Sequence, residues 1–361
     1  MTSNKLKVVI DARMLCMSGI GTYLQNILPY IIRAETFEVS CLVSTKDKNH
    51  PSVLGSNIIE CDIPIFSIKE MFQLQMYIPH TDVFWAPNWN LPLFRIKAKK
   101  ILLTIHDVNQ IENPKYFSGV IPKIAKVLIG LALKKSNKII TVSVFSRDQI
   151  IKHFKVEHSK ISWSHLAVKD DFSNLSSNDF EPPIPYILFT GNIKPHKNLL
   201  GALEAFKTAN LSDCQFLIIG KMEGFKSGYG NKLNDLINEL GDQVKFLGQV
   251  SDLELKQYYA KASLFFFPSF YEGFGLPILE AMKFGLPILT TKEASIPEVG
   301  GAKVFYTNPF DVRVMAKDLK QLYESGIFVE SIDYSDWLSN FSWEKTAEAH
   351  SLAINSLRIN N

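Results

Sequence analysis

Pro268–Pro297 reads PSFYEGFGLPILEAMKFGLPILTTKEASIP, and its order of apolar runs and breakers decides the fold. The run Leu264–Pro268 reads as a buried strand, and a loop carrying Glu272-Gly-Phe-Gly275 follows it. Pro277 suits the first turn of a helix running to Phe284, and Pro287–Thr291 is the next strand. A strand, a glycine-bearing loop, a helix and another strand form one winding of an α/β sheet.

The same alternation extends outward along the chain. In the second half, Tyr186–Thr190, Gln215–Gly220 and Val244–Gly248 read as strands, with helices over Leu199–Ala209, Lys232–Leu240, Leu253–Ala262 and Asp311–Glu324. In the first half the strand candidates are Val8–Asp11, Val39–Ser44, Ile101–Asp107 and Lys138–Ser143, with helices over Gly21–Ile32 and Pro122–Leu133. Continuously apolar strands between helices imply parallel sheets covered on both faces. Ser251 with Glu254 three residues on is a capping box opening one helix. Ser173–Pro185 breaks the rhythm with NLSSND and the prolines of PPIP. The expectation is therefore an N-terminal Rossmann-like domain over 1–174 and a C-terminal one over 175–343, with parallel sheets facing a central cleft. The last helix, about 344–361, is expected to return to the first domain. In such sheets ligands bind beyond the carboxyl ends of the strands.

Composition excludes several classes. Of 361 residues, 46% are hydrophobic and 21% charged, which excludes a disordered chain. Lys and Arg number 39 against 36 Asp and Glu, a net of +3, too weak for a dedicated nucleic-acid binder. Cys16, Cys41, Cys61 and Cys214 form no pair at CxxC spacing and read as reduced core residues. No apolar run reaches membrane-spanning length, and KVVIDA near the N-terminus reads as a strand with no signal-peptide pattern before it, so a cytoplasmic place is expected.

Gly273 and Gly275 let a ligand approach the backbone, and a helix start presents free N–H groups to a phosphate. Glu272 and Glu280, separated by seven residues, are good partners for sugar or ribose hydroxyls. The segment EGFGLPILEAM resembles the signature of retaining glycosyltransferases of family 4 (glycosyltransferase group 1), which have the GT-B fold. Further segments resemble that family in order: SGIGTY at Ser18–Tyr23, TIHD at Thr104–Asp107, TVSVFSRDQI at Thr141–Ile150, FTGNIKPHKN at Phe189–Asn198 and SWE at Ser342–Glu344. The subgroup it looks most like is the set of bacterial mannosyltransferases that build polysaccharide on lipid carriers.

The resemblance implies a metal-independent, retaining hexosyltransferase with a nucleotide-diphosphate sugar, GDP-mannose first, as co-substrate and no cofactor. Under it Lys197 neutralises the diphosphate, Glu272 orients the sugar hydroxyls, Glu280 holds the ribose, and His106 contacts the donor sugar near the reacting carbon. The N–H groups near Gly275 and Leu276 join Lys197 at the diphosphate, and Asn192, Val250 and Phe274 line the donor site. Gly19 and Gly21 are read as a loop allowing close approach to sugar or diphosphate; a dinucleotide fingerprint would need a third glycine at Leu24. Many relatives carry arginines where this chain has Asn192 and His196. Asn192 brings no charge, and His196 is only partly cationic near neutral pH. Ser143 and Ser146 read as caps rather than nucleophiles. No DxD pair ends a strand and no His/Cys cluster has ligand spacing, so no metal site is expected.

VIPKIAKVLIGLALKKSNK at Val120–Lys138 is an apolar helix with lysines at Lys123, Lys126, Lys134, Lys135 and Lys138, and FRIKAKK lies at Phe94–Lys100. It reads either as a contact to an anionic membrane surface on the inner face of the plasma membrane, suited to a lipid-linked or glycan acceptor, or as a helix packed on the sheet with its lysines in water. Two rivals stand beside mannosyl transfer: the same reaction with UDP-glucose or dTDP-rhamnose, and a non-catalytic nucleotide-sugar-binding subunit, which the altered residues Asn192 and His196 favour.

Overall fold

The computed structural model describes residues 5–117, 119–175, 181–221, 228–327 and 331–359. It resolves into two compact units, Met1–Ala167 with Ser342–Asn361, and Val168–Phe341.

The first unit is built on seven parallel strands: β1 (Leu6–Asp11), β2 (Phe37–Val43), β3 (Asn57–Glu60), β4 (Thr81–Ala86), β5 (Ala98–Ile105), β6 (Lys138–Thr141) and β7 (Ile161–Trp163). Their order is β3-β2-β1-β4-β5-β6-β7, every pair parallel. The winding therefore reverses between β1 and β4, and the loops leaving those two strands open a crevice at the sheet's carboxyl edge. One core cluster joins Val9, Phe84, Leu103 and Ile139 of the sheet to Ala125, Ile129, Ala132 and Leu133 of the helix Ile121–Lys135.

The second unit holds β8 (Tyr186–Thr190), β9 (Gln215–Ile219), β10 (Val244–Gly248), β11 (Leu264–Phe267), β12 (Ile288–Thr291) and β13 (Phe305–Thr307) in the order β10-β9-β8-β11-β12-β13. All neighbours are parallel, and here the reversal falls between β8 and β11. The strands β8, β9, β11 and β12 are buried along their whole length, as a sheet covered on both faces requires. The capping box at Ser251 and Glu254 is formed, with both reciprocal hydrogen bonds.

Four strands were not expected. β3, β7 and β13 are short edge strands that are only partly buried, so they carry no continuous apolar run. β4 is central and buried, but its apolar run VFWA is only four residues long and passes straight into Pro87-Asn-Trp-Asn. The units part after Ala167, seven residues before the expected boundary, because Asp170–Ser173 and the chain leading to it already pack with the second unit. There Phe172 stands edge-on to Tyr259 and Phe284. Residues 176–180 of the proline-bearing stretch lie outside the described residues. The helix Trp343–Asn355 belongs to the first unit, where its Thr346 hydroxyl donates to the carbonyl of His165 at 2.6 Å. Asn360 and Asn361, at the end of the expected 344–361 helix, also lie outside the described residues.

Candidate active site

The reversal between β8 and β11 sets the loop after each strand beside the other, and this brings Lys197 to Glu272 although 75 residues separate them. Lys197 Nζ donates to both carboxylate oxygens, at 2.6 and 2.7 Å, and lies 5.1 Å from the centre of the Phe267 ring. Both side chains are largely buried. Backbone bonds lock the loops together: Phe270 N donates to His196 O at 2.8 Å. The Ser295 hydroxyl lies 2.8 Å from the carbonyls of both Glu272 and Phe274. At the base of the Lys197 loop, a Cβ on Gly220 would stand 1.9 Å from Gly191 O, so only glycine permits this crossing.

Gly275, at φ +113°, ends the Glu272 loop and precedes the helix Leu276–Lys283. Pro277 has no N–H, and Ile278 N already donates to Gly275 O at 3.0 Å. The N–H groups of Gly275 and Leu276 have no partner among the described residues. This helix start can therefore donate twice to an anion, with the positive end of the helix dipole behind it. Phe274 offers only its backbone, since its ring is buried edge-on against Phe341. Val250 follows β10 and precedes the capped helix Asp252–Lys261.

Glu280 lies deeper in the helix and accepts from the Tyr259 hydroxyl at 2.9 Å. That commits the one phenolic proton, so the Thr190 hydroxyl, 2.7 Å away at the end of β8, donates to Tyr259. Burial pushes the Glu280 carboxyl up to about 7; the Tyr259 bond opposes the shift, Asp252 adds to it, and Lys197 opposes it. His196 departs from its expected partial charge: burial first, then Lys197 and Lys194, push the ring down to about 3 and hold it neutral. Tyr259, Thr190 and Ser295 were not foreseen, because only the packing of three elements brings them to the glutamates.

In the first unit, His106 follows β5. Its Nε2 lies 3.0 Å from the Pro87 carbonyl after β4, and that carbonyl can only accept, so Nε2 carries the proton. Burial holds the ring near 4, against the opposing pull of Pro87. Tyr23 stands edge-on to it, ring centres 5.0 Å apart. The Tyr23 hydroxyl meets Nε2 of the buried His350 at 2.6 Å. His350 Nδ1 faces the Thr346 carbonyl at 2.7 Å and must hold its own proton, so Nε2 accepts from Tyr23. Ser143 caps the helix Val144–Phe154, and the Ser146 hydroxyl donates to the His106 carbonyl at 2.9 Å.

Gly19 and Gly21 depart from the loop expected for them: both lie in the first turns of the helix Ser18–Arg33, which Met17 already opens by accepting Gly21 N at 2.8 Å. A Cβ on Gly21 would stand 2.6 Å from Leu15 O, a packing requirement, whereas at Gly19 it would meet nothing within 4 Å. Lys135 also departs from expectation, because its ammonium donates inward to the carbonyls of Pro92 and Leu93. Lys138 donates to Ser159 O. Unforeseen too is the buried cluster in which Arg13 bonds Asp11 and Glu70, each at 2.6 Å. Glu70 also accepts from Asn90 at 2.6 Å, and burial nonetheless raises its carboxyl above the usual range.

Comparison with known proteins places this geometry. The profile of the family described as Glycosyl transferases group 1 matches residues 173–335. Over 336 residues the chain is 30% identical to the O-antigen chain mannosyltransferase RfbU of Salmonella typhimurium, covering 87% of this chain and 90% of that protein. It is 29% identical over 286 residues to O-antigen chain mannosyltransferase B of Escherichia coli, covering 75% and 69%. In structure it is similar to a glycosyltransferase from Rickettsia africae, with a TM-score of 0.74 at 16% identity over 99% of this chain and 100% of that one. HepE of Anabaena in complex with UDP and glucose gives 0.75 at 16% identity over 97% and 100%. At such identities the structural likeness is one of fold, two parallel-sheet units of the GT-B type. The fold and the relative matched over nine-tenths of its length lead to one assignment: this chain is a glycosyltransferase and belongs to the group 1 glycosyl transferases.

Proposed function

We propose that the enzyme is a retaining mannosyltransferase that takes mannose from GDP-mannose and adds it to a glycan or lipid-linked oligosaccharide acceptor in cell-surface polysaccharide assembly. The observation that carries this reading is the 30% identity to an O-antigen chain mannosyltransferase across 90% of that protein. The site chemistry supports it. The free N–H groups of Gly275 and Leu276 and the ammonium of Lys197 suit a diphosphate, Glu272 suits sugar hydroxyls, and Glu280 suits a ribose.

Lys197 is held by Glu272 without a ligand, so donor binding exchanges one carboxylate for two sets of oxygens. The ammonium turns to the leaving diphosphate, and the released Glu272 oxygens accept from the sugar. Asn192 and neutral His196 add no charge, which leaves Lys197 and the helix start to stabilise the departing diphosphate without a metal. His106, its Nε2 committed to Pro87, is assigned to the sugar. With no enzymic nucleophile assigned, the reading is a front-face transfer in which the leaving phosphate takes the acceptor's proton.

The test is turnover with GDP-mannose, UDP-glucose and dTDP-rhamnose on a lipid-linked acceptor, with chelator present and the product anomer read by NMR. The reading expects turnover with GDP-mannose, undiminished by chelator, and an α-linked product. Turnover confined to UDP-glucose overturns the donor, and hydrolysis-free binding of every donor without transfer favours a binding subunit.

A further inference from the structure

Two costly features of the first unit serve one pair of aromatic rings. Phe66, in the loop after β3, holds φ +57°, a left-handed backbone that a bulky residue adopts only where its surroundings impose it. Glu70 imposes it: one oxygen of its buried carboxylate accepts from the Phe66 N–H at 2.6 Å. The other oxygen accepts from Asn90 and from Arg13, each at 2.6 Å. Arg13 in turn donates to Asp11 and to the Ile63 carbonyl, so three charged side chains are buried together. Such a triad adds little net stability for its desolvation, and what it fixes is geometry. It ties the loops after β1, β3 and β4 at one point.

The geometry so fixed is an aromatic pair at the open end of the sheet. The ring of Phe66 stands 5.2 Å from that of Trp89, with the planes 43° apart. Trp89 packs against the core of the unit, and Asn88 Oδ1 accepts its backbone N–H at 2.8 Å. Leu93 N donates to Met71 O at 2.8 Å and closes the same loop onto the helix Ile68–Gln73. Phe66 nevertheless remains 53% exposed, and Trp89 is half-buried. The Trp89 indole N–H and the Asn90 amide oxygen engage no described residue. These loops leave the carboxyl ends of strands beside the reversal between β1 and β4, where sheets of this kind take ligands. A chain that needed only to cover its core would not hold an exposed phenylalanine in a strained backbone.

We propose that Phe66 and Trp89 form a platform on which a neutral pyranose ring of the acceptor stacks, with the Trp89 indole N–H and the Asn90 amide oxygen meeting its hydroxyls, an assignment that rests on the sugar-transfer reading above. One face of a pyranose presents C–H bonds, which suit the electron-rich face of an aromatic ring, and its rim carries hydroxyls that both donate and accept. Flat rings with one donor and one acceptor at their edge match that pattern. A phosphate or carboxylate finds no match, because the Arg13 guanidinium is buried against Asp11 and Glu70.

Binding is read without turnover by saturation-transfer difference NMR of the full chain, in excess GDP, with the methyl pyranosides of mannose, glucose and galactose. At least one should receive saturation through its ring protons, and Trp89→Ala should lower that signal at least threefold. In turnover on a lipid-linked oligosaccharide, Trp89→Ala should raise the acceptor KM about tenfold. The kcat at saturating acceptor and the thermal shift given by GDP-mannose should hold. Phe66→Asn supplies a residue that tolerates the left-handed backbone, so Tm should hold while the acceptor KM rises about fivefold. Saturation of none of the three sugars, or an acceptor KM unchanged in both variants, overturns the platform. So does a dimer of the parent chain that Trp89→Ala dissolves, which would make the pair a contact between copies. Sugar binding lost in Trp89→Ala, in a chain that transfers nothing from GDP-mannose, would uphold the platform and overturn the donor instead.

Discussion

Both oxygens of the Glu272 carboxylate accept from the Lys197 ammonium, at 2.6 and 2.7 Å, across a gap of 75 residues in sequence. In the proposed reading each partner of this pair takes a second task once donor binds: Lys197 at the diphosphate and Glu272 at the sugar hydroxyls. Breaking it from one side leaves the other charge stranded in a largely dehydrated loop.

Lys197→Met should therefore destabilise the second unit by about 3 kcal/mol. Adding Glu272→Gln should recover most of that loss, because the stranded charge is gone. Turnover should fall by about two orders of magnitude or more in the single variant and stay low in the double. Urea unfolding beside steady-state kinetics separates the two effects, and recovery of turnover in the double variant would remove Lys197 from the chemistry.

Glu280 links pH to stability. Its folded pKa, about 7, lies above the unfolded value, so the folded chain binds the proton more tightly. The stabilising contribution is fully present below the unfolded pKa and is lost as pH rises through about 7. Glu280→Gln should lack this component: plotted against pH, the difference in Tm between parent and variant should tilt in favour of the parent towards acid. A flat difference would place the carboxyl in a better-hydrated setting.

His106 and His350 work in the opposite sense. Both are held near 4 by burial, so below the ordinary value of 6.5 the unfolded chain gains protons that the folded chain refuses. Between those limits each should cost about 1.4 kcal/mol of stability per pH unit of acidification. Denaturation midpoints of Glu280→Gln, where the opposing carboxyl is absent, should fall steeply from pH 6 to pH 5.

The two helix glycines should part company. Gly21→Ala drives a Cβ to 2.6 Å from the Leu15 carbonyl and should cost about 2 kcal/mol. Gly19→Ala meets nothing and should gain about 0.5 to 1 kcal/mol from helix propensity. If donor approaches the backbone there, the more stable Gly19→Ala enzyme should be the less active one. Unchanged kcat/KM would end the close approach to sugar or diphosphate expected at Gly19.

Tyr23→Phe removes the hydroxyl that His350 Nε2 accepts from and leaves that nitrogen buried without a donor, a cost of about 1 to 3 kcal/mol. Thermal unfolding of this variant reads the value directly.

Local chemistry made much of this molecule readable from its residues. β8 and β11 are continuous apolar runs, Pro277 and the capping box at Ser251 mark helix starts, and the spacing of Glu272 and Glu280 points to one loop-and-helix site. These features act over a few residues, so their cause lies within the pattern itself. The edge strands β3, β7 and β13 were not readable, because a half-exposed edge lacks the continuous apolar run of a central strand and becomes a strand only where a neighbour offers unpaired backbone. The same holds for the pairing of Lys197 with Glu272, the Tyr259 hydroxyl on Glu280 and the Tyr23–His350 bond, which joins residues 327 positions apart. Strand order decides which loops become neighbours, and burial then decides the charge each group carries; neither quantity is local to any stretch of chain.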